Sequence, residues 1–329
     1  MDELIKVHTS GSTGQPKEML VEKSRMMASA RMTCDFLGLR PGDTALLCMP
    51  LDYIAGKMML VRCEERNMKL IRVTPTNHPL ANLDSHIDFA AMVPSQVYES
   101  LKVPTERERL SRIVNLIIGG GAISSDMERE LKTFPNAVWS TYGMTETLSH
   151  IAMRRLSGST ASQFYTPLDG VQLSITDSEK EHPEKGRLVI DAPHLCTQRL
   201  ITNDIAELHY ENGICQFRII GRTDNVICSG GIKLHIEEIE EQLRPHLTAD
   251  FCITKRTDAK FGEAVVMLVE RVNESTSGRA GEFLSNIMEI CRNILPRYSV
   301  PKQIISVTQI PHTPNGKIDR ATAMKVAEN

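Results

Sequence analysis

The sequence predicts an α/β chain: a large amino-terminal α/β domain with a small β unit, followed by a small α+β carboxy-terminal domain. Three observations carry this. Through the first two-thirds, short apolar runs alternate with helical patterns, as in a layered α/β domain. After about Thr166 the texture changes to short strand-like runs around polar loops. Beyond Gly221-Arg222-Thr223-Asp224 a new alternation of helix and strand begins. The 329 residues are enough for two domains. The boundary is placed after Arg222, giving domains 1–222 and 223–329.

The elements follow in order. Ala45–Met49, Lys69–Val73 and Phe89–Val93 read as strands, the first ending at Pro50. Ile113–Ile118 reads as a buried strand running into Gly119-Gly120-Gly121. Ser125-Asp126-Met127-Glu128 then has the form of a capping box, and Met127, Leu131 and Phe134 share one helical face. Val171–Thr176 with Arg187–Asp191, and Ile205–His209 with Cys215–Ile220, read as two hairpins of an antiparallel unit. In the last third, Ile236, Ile239 and Leu243 mark a helix, and Ala264–Val269 a strand. Phe283, Ile287, Ile290 and Ile294 mark a second helix stopped by Pro296, and Gln303–Val307 is a final strand. Pro314-Asn315-Gly316-Lys317 is turn chemistry.

Composition excludes several classes. A net charge of -3, with no basic stripe and no stacked-aromatic pattern, argues against nucleic acid as a partner. No apolar run approaches the roughly 20 residues of a membrane-spanning helix. Met1 to Val7 carries Asp2 and Glu3 and does not read as a signal peptide. The eight cysteines are scattered without a Cys-x-x-Cys pair, so they read as buried thiols in a reducing cytoplasm rather than as a disulfide framework or a zinc site.

Two segments carry chemistry. His8-Thr9-Ser10-Gly11-Ser12-Thr13-Gly14-Gln15-Pro16-Lys17 combines glycines, which let backbone N–H groups converge, with four hydroxyls and a lysine. That combination suits a polyphosphate. It is not the common P-loop, which ends Gly-Lys-Ser/Thr and opens a helix directly. The alternative is a flexible Ser/Gly linker, against which Pro16-Lys17 and the apolar lead-in Leu4-Ile5-Lys6-Val7 speak. In Tyr142-Gly143-Met144-Thr145-Glu146-Thr147, an aromatic can stack on a base, and a hydroxyl and carboxylate can hold phosphate and Mg²⁺. Composition alone favours a turn before a helix at this segment.

Together these segments resemble the adenylate-forming superfamily of acyl-CoA synthetases, peptide-synthetase adenylation domains and luciferases. Further segments agree in order: Thr202-Asn203-Asp204; Gly221-Arg222-Thr223-Asp224 before Gly230-Gly231-Ile232-Lys233-Leu234 and Glu237-Glu238-Ile239-Glu240; and Pro314-Asn315-Gly316-Lys317-Ile318-Asp319-Arg320. The resemblance spans nearly the whole chain and implies a role for each segment. Thr9, Ser10, Gly11, Ser12, Thr13, Gly14 and Lys17 hold the ATP β- and γ-phosphates. Gly119, Gly120, Gly121 and Ala122 form the adenine slot with Tyr142, and Gly143 is among the nucleotide-binding residues. Thr145 contacts the α-phosphate and Glu146 holds Mg²⁺. Asp204 binds the ribose, with Arg222 beside it. Asp224 is the hinge on which a mobile small domain rotates. Lys317 reaches the α-phosphate and the acyl carboxylate during adenylation; outside the motif it reads as a solvated surface lysine. Gly230 and Gly231 face the pantetheine arm of coenzyme A. The implied ligands are a small carboxylic acid, ATP, Mg²⁺ and coenzyme A, in a cytoplasmic enzyme for which a homodimer is an open option.

Within that superfamily, Tyr142–Thr147 followed by Ser149-His150, and the Tyr53-Ile54-Ala55-Gly56-Lys57-Met58-Met59 stretch, are similar to compact bacterial o-succinylbenzoate–CoA ligases of menaquinone synthesis. Such a substrate carries a ring and a spare carboxylate, so its pocket needs an apolar wall and a polar or cationic group. Tyr53, Lys57, Arg62, Met144, Ser149 and His150 are the candidates. Lys57 and Arg62 equally suit a helix surface, and His150 equally suits a structural histidine. Four departures stand out. Glu18 replaces the usual glycine after the loop lysine, a tolerable change because it follows the phosphate cradle. Asn203 replaces the family's glycine at a turn that asparagine also tolerates. Tyr53 replaces a histidine as the aromatic gate. Only eight residues precede Thr9, so the amino-terminal region is short for the family and the acid pocket more open. The competing readings are an enzyme for another aromatic or short acid, with coenzyme A or a carrier protein as acceptor, and an inactive nucleotide-binding regulator.

Overall fold

The computed structural model describes residues 3–8, 18–121, 123–178, 180–211, 213–271, 280–313 and 318–328. The chain divides into two compact units. One holds Met1–Glu184, Leu188–Thr202 and Leu208–Arg218; the other holds Lys185–Arg187, Asn203–Glu207 and Ile219–Asn329.

The first unit opens with an antiparallel hairpin, β1 (Leu4–His8) and β2 (Glu18–Glu22), in which His8 lies opposite Glu18. Two helices follow with a strand between them: α1 (Lys23–Leu37), β3 (Thr44–Leu47) and α2 (Ile54–Arg66). Val7 and Val21 of the hairpin pack with Met26, Ala30, Met58 and Leu148. Burial of each valine, leucine or methionine side chain here stabilises by roughly 1.5–3 kcal/mol, enough to hold a two-stranded hairpin that would be marginal alone.

Next come β4 (Lys69–Arg72), β5 (Phe89–Met92), α3 (Pro94–Lys102), α4 (Pro104–Arg112), β6 (Asn115–Ile118) and α5 (Ser125–Leu131). Then follow β7 (Ala137–Gly143), β8 (His150–Arg155) and β9 (Thr166–Pro167). Their sheet has the order β4-β3-β5-β6-β7-β8-β9. It is parallel from β4 to β7 and antiparallel from β7 to β9. Strands β3, β5 and β6 are almost wholly buried, as expected where helices cover both faces of a parallel sheet. Their apolar runs are the ones the sequence marked. Met127, Leu131 and Phe134 are buried as expected. The cap of α5 is shifted by one residue: Ser124, in extended conformation, accepts from the Met127 N–H at 3.3 Å, so Ser125 is already helical.

The strands β10 (Gln172–Thr176), β11 (Lys185–Asp191), β12 (Leu200–Glu211) and β13 (Ile214–Arg222) form a four-stranded sheet in chain order. The third of these is longer than the sequence reading. Asn203 lies inside it and has no positive φ, so the turn expected there is replaced by extended strand.

In the second unit, β14 (Val226–Ser229) and β15 (Ile232–His235) form a hairpin ahead of α6 (Ile236–Leu243). The strands β16 (Phe251–Asp258) and β17 (Gly262–Glu270) pair antiparallel, and β18 (Gln303–Val307) joins β17 in parallel. Helix α7 (Ala280–Ile294) packs with α6 on a core containing Ile239, Leu243, Ile253, Met267 and Ile287. Helix α8 (Arg320–Glu328) packs through Ala323 and Ala327 against Cys252 and Leu268. All eight cysteines are free. Six are buried, but Cys215 is half-buried and Cys228 is exposed, which corrects the reading of them all as buried thiols. Burial pushes the Cys48 and Cys252 thiols up to about 12, so these two are inert at neutral pH.

Candidate active site

The parallel sheet presents its candidate residues at the carboxyl ends of its strands, where open α/β sheets place ligands. Gly119 follows β6, its N–H donating to the Met92 carbonyl at 3.1 Å. A Cβ at Gly119 would stand 2.3 Å from Thr141 Oγ1, so only glycine lets β6 and β7 close up here. Thr141 Oγ1 donates back to the Ile118 carbonyl at 3.2 Å and seals that junction. Gly120 has φ +84 and packs beside Val93, and Gly121 packs beside Pro94. Ala122 lies outside the described residues. Tyr142, on β7, stands edge-on to Phe217 with ring centroids 5.1 Å apart, and Tyr165 stacks on Phe217 at 5.5 Å. Tyr142 is thus half-buried against an aromatic backing.

A short 3₁₀ turn, Thr145–Thr147, follows β7, and the chain then enters strand β8 rather than the helix that composition favoured. The reason is local. Thr147 Oγ1 accepts from the Met144 N–H at 3.0 Å and stands 2.7 Å from the Ser149 carbonyl, tying the turn to itself. A Cβ at Gly143 would meet Ser149 O at 2.3 Å, so the chain folds back on that glycine. Leu148 takes φ +64 while 3% exposed, a strained conformation of the kind that clusters at functional loops. The turn leaves Glu146 exposed, while its carbonyl accepts from Cys196 Sγ at 3.2 Å. Its carboxylate has no hydrogen bond or ion pair among the described residues. An exposed carboxylate on a fixed turn fits a nucleotide-bound Mg²⁺, which takes only one or two protein carboxylates.

The acid-pocket candidates separate. Arg62 is 2% exposed, so it does not lie on the surface of α2. Its Nη2 donates to Ser149 Oγ at 2.7 Å and its Nη1 faces the Met59 sulfur at 3.8 Å. Its Nε has no partner, and no carboxylate pairs with it among the described residues. Burial pushes its pKa down to about 10. His150 is also buried, and its Nε2 lies 3.0 Å from Thr33 Oγ1. Burial first and the charge of Arg62 second hold the imidazole well below its ordinary pKa, so it is neutral. Lys57 donates its ammonium to the Lys6 carbonyl at 2.6 Å, on the hairpin strand that precedes residues 9–17. Tyr53 precedes α2 and is half-exposed. Met144 is half-buried. An open cleft of about 370 Å³ runs from Leu47–Asp52 to Arg72–Pro75, beyond the ends of β3 and β4. Its cation, Arg72, is one the sequence reading missed, because a strand-end arginine carries no motif.

In the second unit, Arg222 is shared. Its Nη1 donates to Asp204 Oδ1 at 2.9 Å, while Nε and Nη2 form a bidentate pair with Asp224, both at 3.0 Å. The Asp224 bond raises the Arg222 pKa. Partial burial pushes the Asp224 carboxyl up, but the bond to Arg222 outweighs it and the net shift is downward. The turn joining β14 to β15 holds Gly230 at φ +60 and Gly231 at φ +84. Gly230 N–H donates to Phe261 O at 2.8 Å, and the position of a Gly231 Cβ is open. Thr9–Lys17 and Lys317 lie outside the described residues. The flanks of the second segment are held by a His312–Ile318 bridge and by Asp319 N–H on the Pro311 carbonyl at 2.8 Å.

The family model for AMP-binding enzymes matches residues 2–198, more than half of the 329, and the chain belongs to that family. The 2-succinylbenzoate–CoA ligase of Enterococcus faecalis is 26% identical over 337 aligned residues, covering 95% of this chain and 67% of that one. A crystal structure of an acyl-CoA synthetase (AMP-forming)/AMP-acid ligase II-like protein from Dyadobacter fermentans is 32% identical at a TM-score of 0.62, covering 97% of this chain and 88% of that one. The o-succinylbenzoate CoA synthetase of Bacillus subtilis, solved with its acyl-adenylate intermediate, shares the fold at a TM-score of 0.77 and 20% identity, over 97% of this chain and 68% of that one. Among the described residues no helix is long and apolar enough to cross a membrane.

Proposed function

We propose that this chain is an AMP-forming acid–CoA ligase that activates o-succinylbenzoate with ATP and Mg²⁺ and transfers the acyl group to coenzyme A. One observation carries the choice of acid. Arg62 is a buried guanidinium with an unpartnered Nε, no carboxylate partner among the described residues, and a bond to Ser149. A buried cation without a counter-charge is costly, and a ligand carboxylate is the natural group to complete it. The Nε–H and the second Nη2 proton form one edge of the guanidinium, the edge that binds a carboxylate two-pronged. Ser149 lies only three residues beyond Glu146, so the cation is tied to the turn that serves the nucleotide. The succinyl side chain of o-succinylbenzoate supplies such a carboxylate, and ligases of that name are this chain's curated relatives.

The chemistry follows from charge. A carboxylate is a poor electrophile, so its oxygen attacks the α-phosphorus and pyrophosphate leaves. The developing charge is spread over oxygens, and the residues act by positioning and by countering that charge. Glu146 fits the Mg²⁺ that neutralises the phosphates. Tyr142 offers its ring to adenine, Asp204 its carboxylate to the ribose, and Lys317 its ammonium to the α-phosphate. The thiolate sulfur of coenzyme A then attacks the acyl carbon, passing the Gly230-Gly231 turn; the bond between that carbon and the phosphate oxygen breaks and AMP leaves. The test is ATP–pyrophosphate exchange with single acids. O-succinylbenzoate is expected to exceed benzoate, acetate and long-chain fatty acids by at least about a hundredfold in kcat/KM, the effect of leaving a polar site unpaired. Parity with benzoate refutes the choice of acid. No exchange with any acid refutes the enzyme and favours a nucleotide-binding regulator.

A further inference from the structure

Behind Ser149, further hydrogen bonds join β8 to α1. Thr33 sits on the buried face of α1, and its hydroxyl donates to the Ser29 carbonyl of its own helix at 3.1 Å. A hydroxyl has one proton. Thr33 Oγ1 therefore meets His150 Nε2, 3.0 Å away, as an acceptor, and Nε2 carries the proton. In a neutral imidazole this leaves Nδ1 as a lone pair. Its polar neighbour is Ser149 Oγ, at 3.4 Å. Ser149 Oγ already accepts from Arg62 Nη2, so its own proton is free to point at Nδ1.

We propose that Thr33 and His150 are positioning residues for acid selection, acting through one directional chain of hydrogen bonds: Arg62 to Ser149, Ser149 to His150, His150 to Thr33, and Thr33 to the Ser29 carbonyl. The proposal rests on the reading of Arg62 and Ser149 as the pair that meets the acid's second carboxylate. In this chain each hydroxyl gives once and accepts once, so neither can turn to compete for the ligand. Ser149 is held as an acceptor for Arg62, which fixes the guanidinium plane and leaves the Nε edge for the carboxylate. His150 is thereby moved from the acid pocket, where the sequence placed it as a candidate, to the layer behind.

Two measurements test this. The first needs no substrate. The ¹⁵N spectrum of the His150 ring at pH 7 is expected to show the neutral Nε2–H tautomer in the parent protein, and a mixture of tautomers in Thr33→Val, with Thr33→Ser restoring the parent spectrum. An Nδ1–H or protonated ring in the parent overturns the chain of bonds. The second compares acids in ATP–pyrophosphate exchange. Thr33→Val replaces the hydroxyl at nearly constant volume and touches no ligand. It is expected to lower kcat/KM for o-succinylbenzoate about tenfold, mostly through KM, and to leave that for benzoate within about twofold, again with recovery in Thr33→Ser. Parallel losses for both acids, or no loss for either, overturn the positioning role. A parent enzyme without preference for o-succinylbenzoate overturns the choice of acid and with it the selective role. The ring spectrum then reports separately whether the bond chain exists.

Discussion

Replacing Arg62 by methionine separates a ligand-reading cation from a structural one. The side chain is 2% exposed and its Nε is unpartnered. Burial lowers its pKa from 12.5 to about 10, which corresponds to roughly 3 kcal/mol of unfavourable charge burial in the ligand-free protein. The bond to Ser149 returns about 1–2 kcal/mol of this. Methionine fills similar volume without charge, so the ligand-free variant is expected to be as stable as the parent, or more stable by about 1–2 kcal/mol. Activity moves the other way. The second carboxylate of o-succinylbenzoate would be buried without its cation, a loss of roughly 2–5 kcal/mol, or about 30- to 4,000-fold in kcat/KM. Benzoate, lacking that carboxylate, is expected to change less than about threefold. The assays are urea unfolding without ligands and ATP–pyrophosphate exchange with each acid. A ligand-free destabilisation beyond about 2 kcal/mol, or equal losses for both acids, would show that Arg62 is an internal structural cation and refute the reasoning.

Other variants report on other parts. Lys317→Ala is expected to suppress adenylation by at least about a hundredfold and to spare thioester formation from supplied acyl-adenylate; equal loss in both half-reactions removes the role proposed for this lysine. Gly231→Phe is expected to do the reverse. A Cβ there meets nothing within 4 Å, and the strain of φ +84 acts on both half-reactions alike, so a loss confined to the thioester step reports obstruction of the thiol. A wild-type rate of thioester formation in that variant contradicts the pantetheine path. His150 gives a pH signature. Its folded pKa is depressed, so the unfolded chain binds a proton near 6.5 that the folded one refuses. Stability is expected to fall as pH drops through 6.5, with a slope approaching about 1.4 kcal/mol per pH unit, and His150→Gln is expected to lose this component. An unchanged slope between pH 5 and 7 in that variant places the titration elsewhere.

The strands of the parallel sheet were legible because burial on both faces demands unbroken apolar runs, as in Phe89–Met92 and Leu116–Ile118. The hairpin Leu4–His8 with Glu18–Glu22 was not identified as a pair, since its partners are separated by the polar segment between them. After Tyr142, composition favours a turn before a helix; the turn forms, and a strand follows it instead. What settles it is the Thr147 hydroxyl folding back on Met144 and the contact of Gly143 with Ser149, neither of which has a periodicity to detect. The site shows the same division. Glu146, Asp204, Arg222 and Asp224 were found as motif residues, yet the sharing of one guanidinium by two aspartates needs coordinates. Arg62 equally suits a helix surface in the sequence, and its burial excludes that surface reading. Thr33 was not a candidate at all, because its meaning lies in a partner 117 positions away.

The most direct test of the account is acid-dependent ATP–pyrophosphate exchange by the full chain with Mg²⁺, followed by thioester formation on adding coenzyme A. O-succinylbenzoate is expected to support both steps and to exceed benzoate by at least about a hundredfold in kcat/KM. Exchange that is absent with every acid, or equal with benzoate, would contradict it.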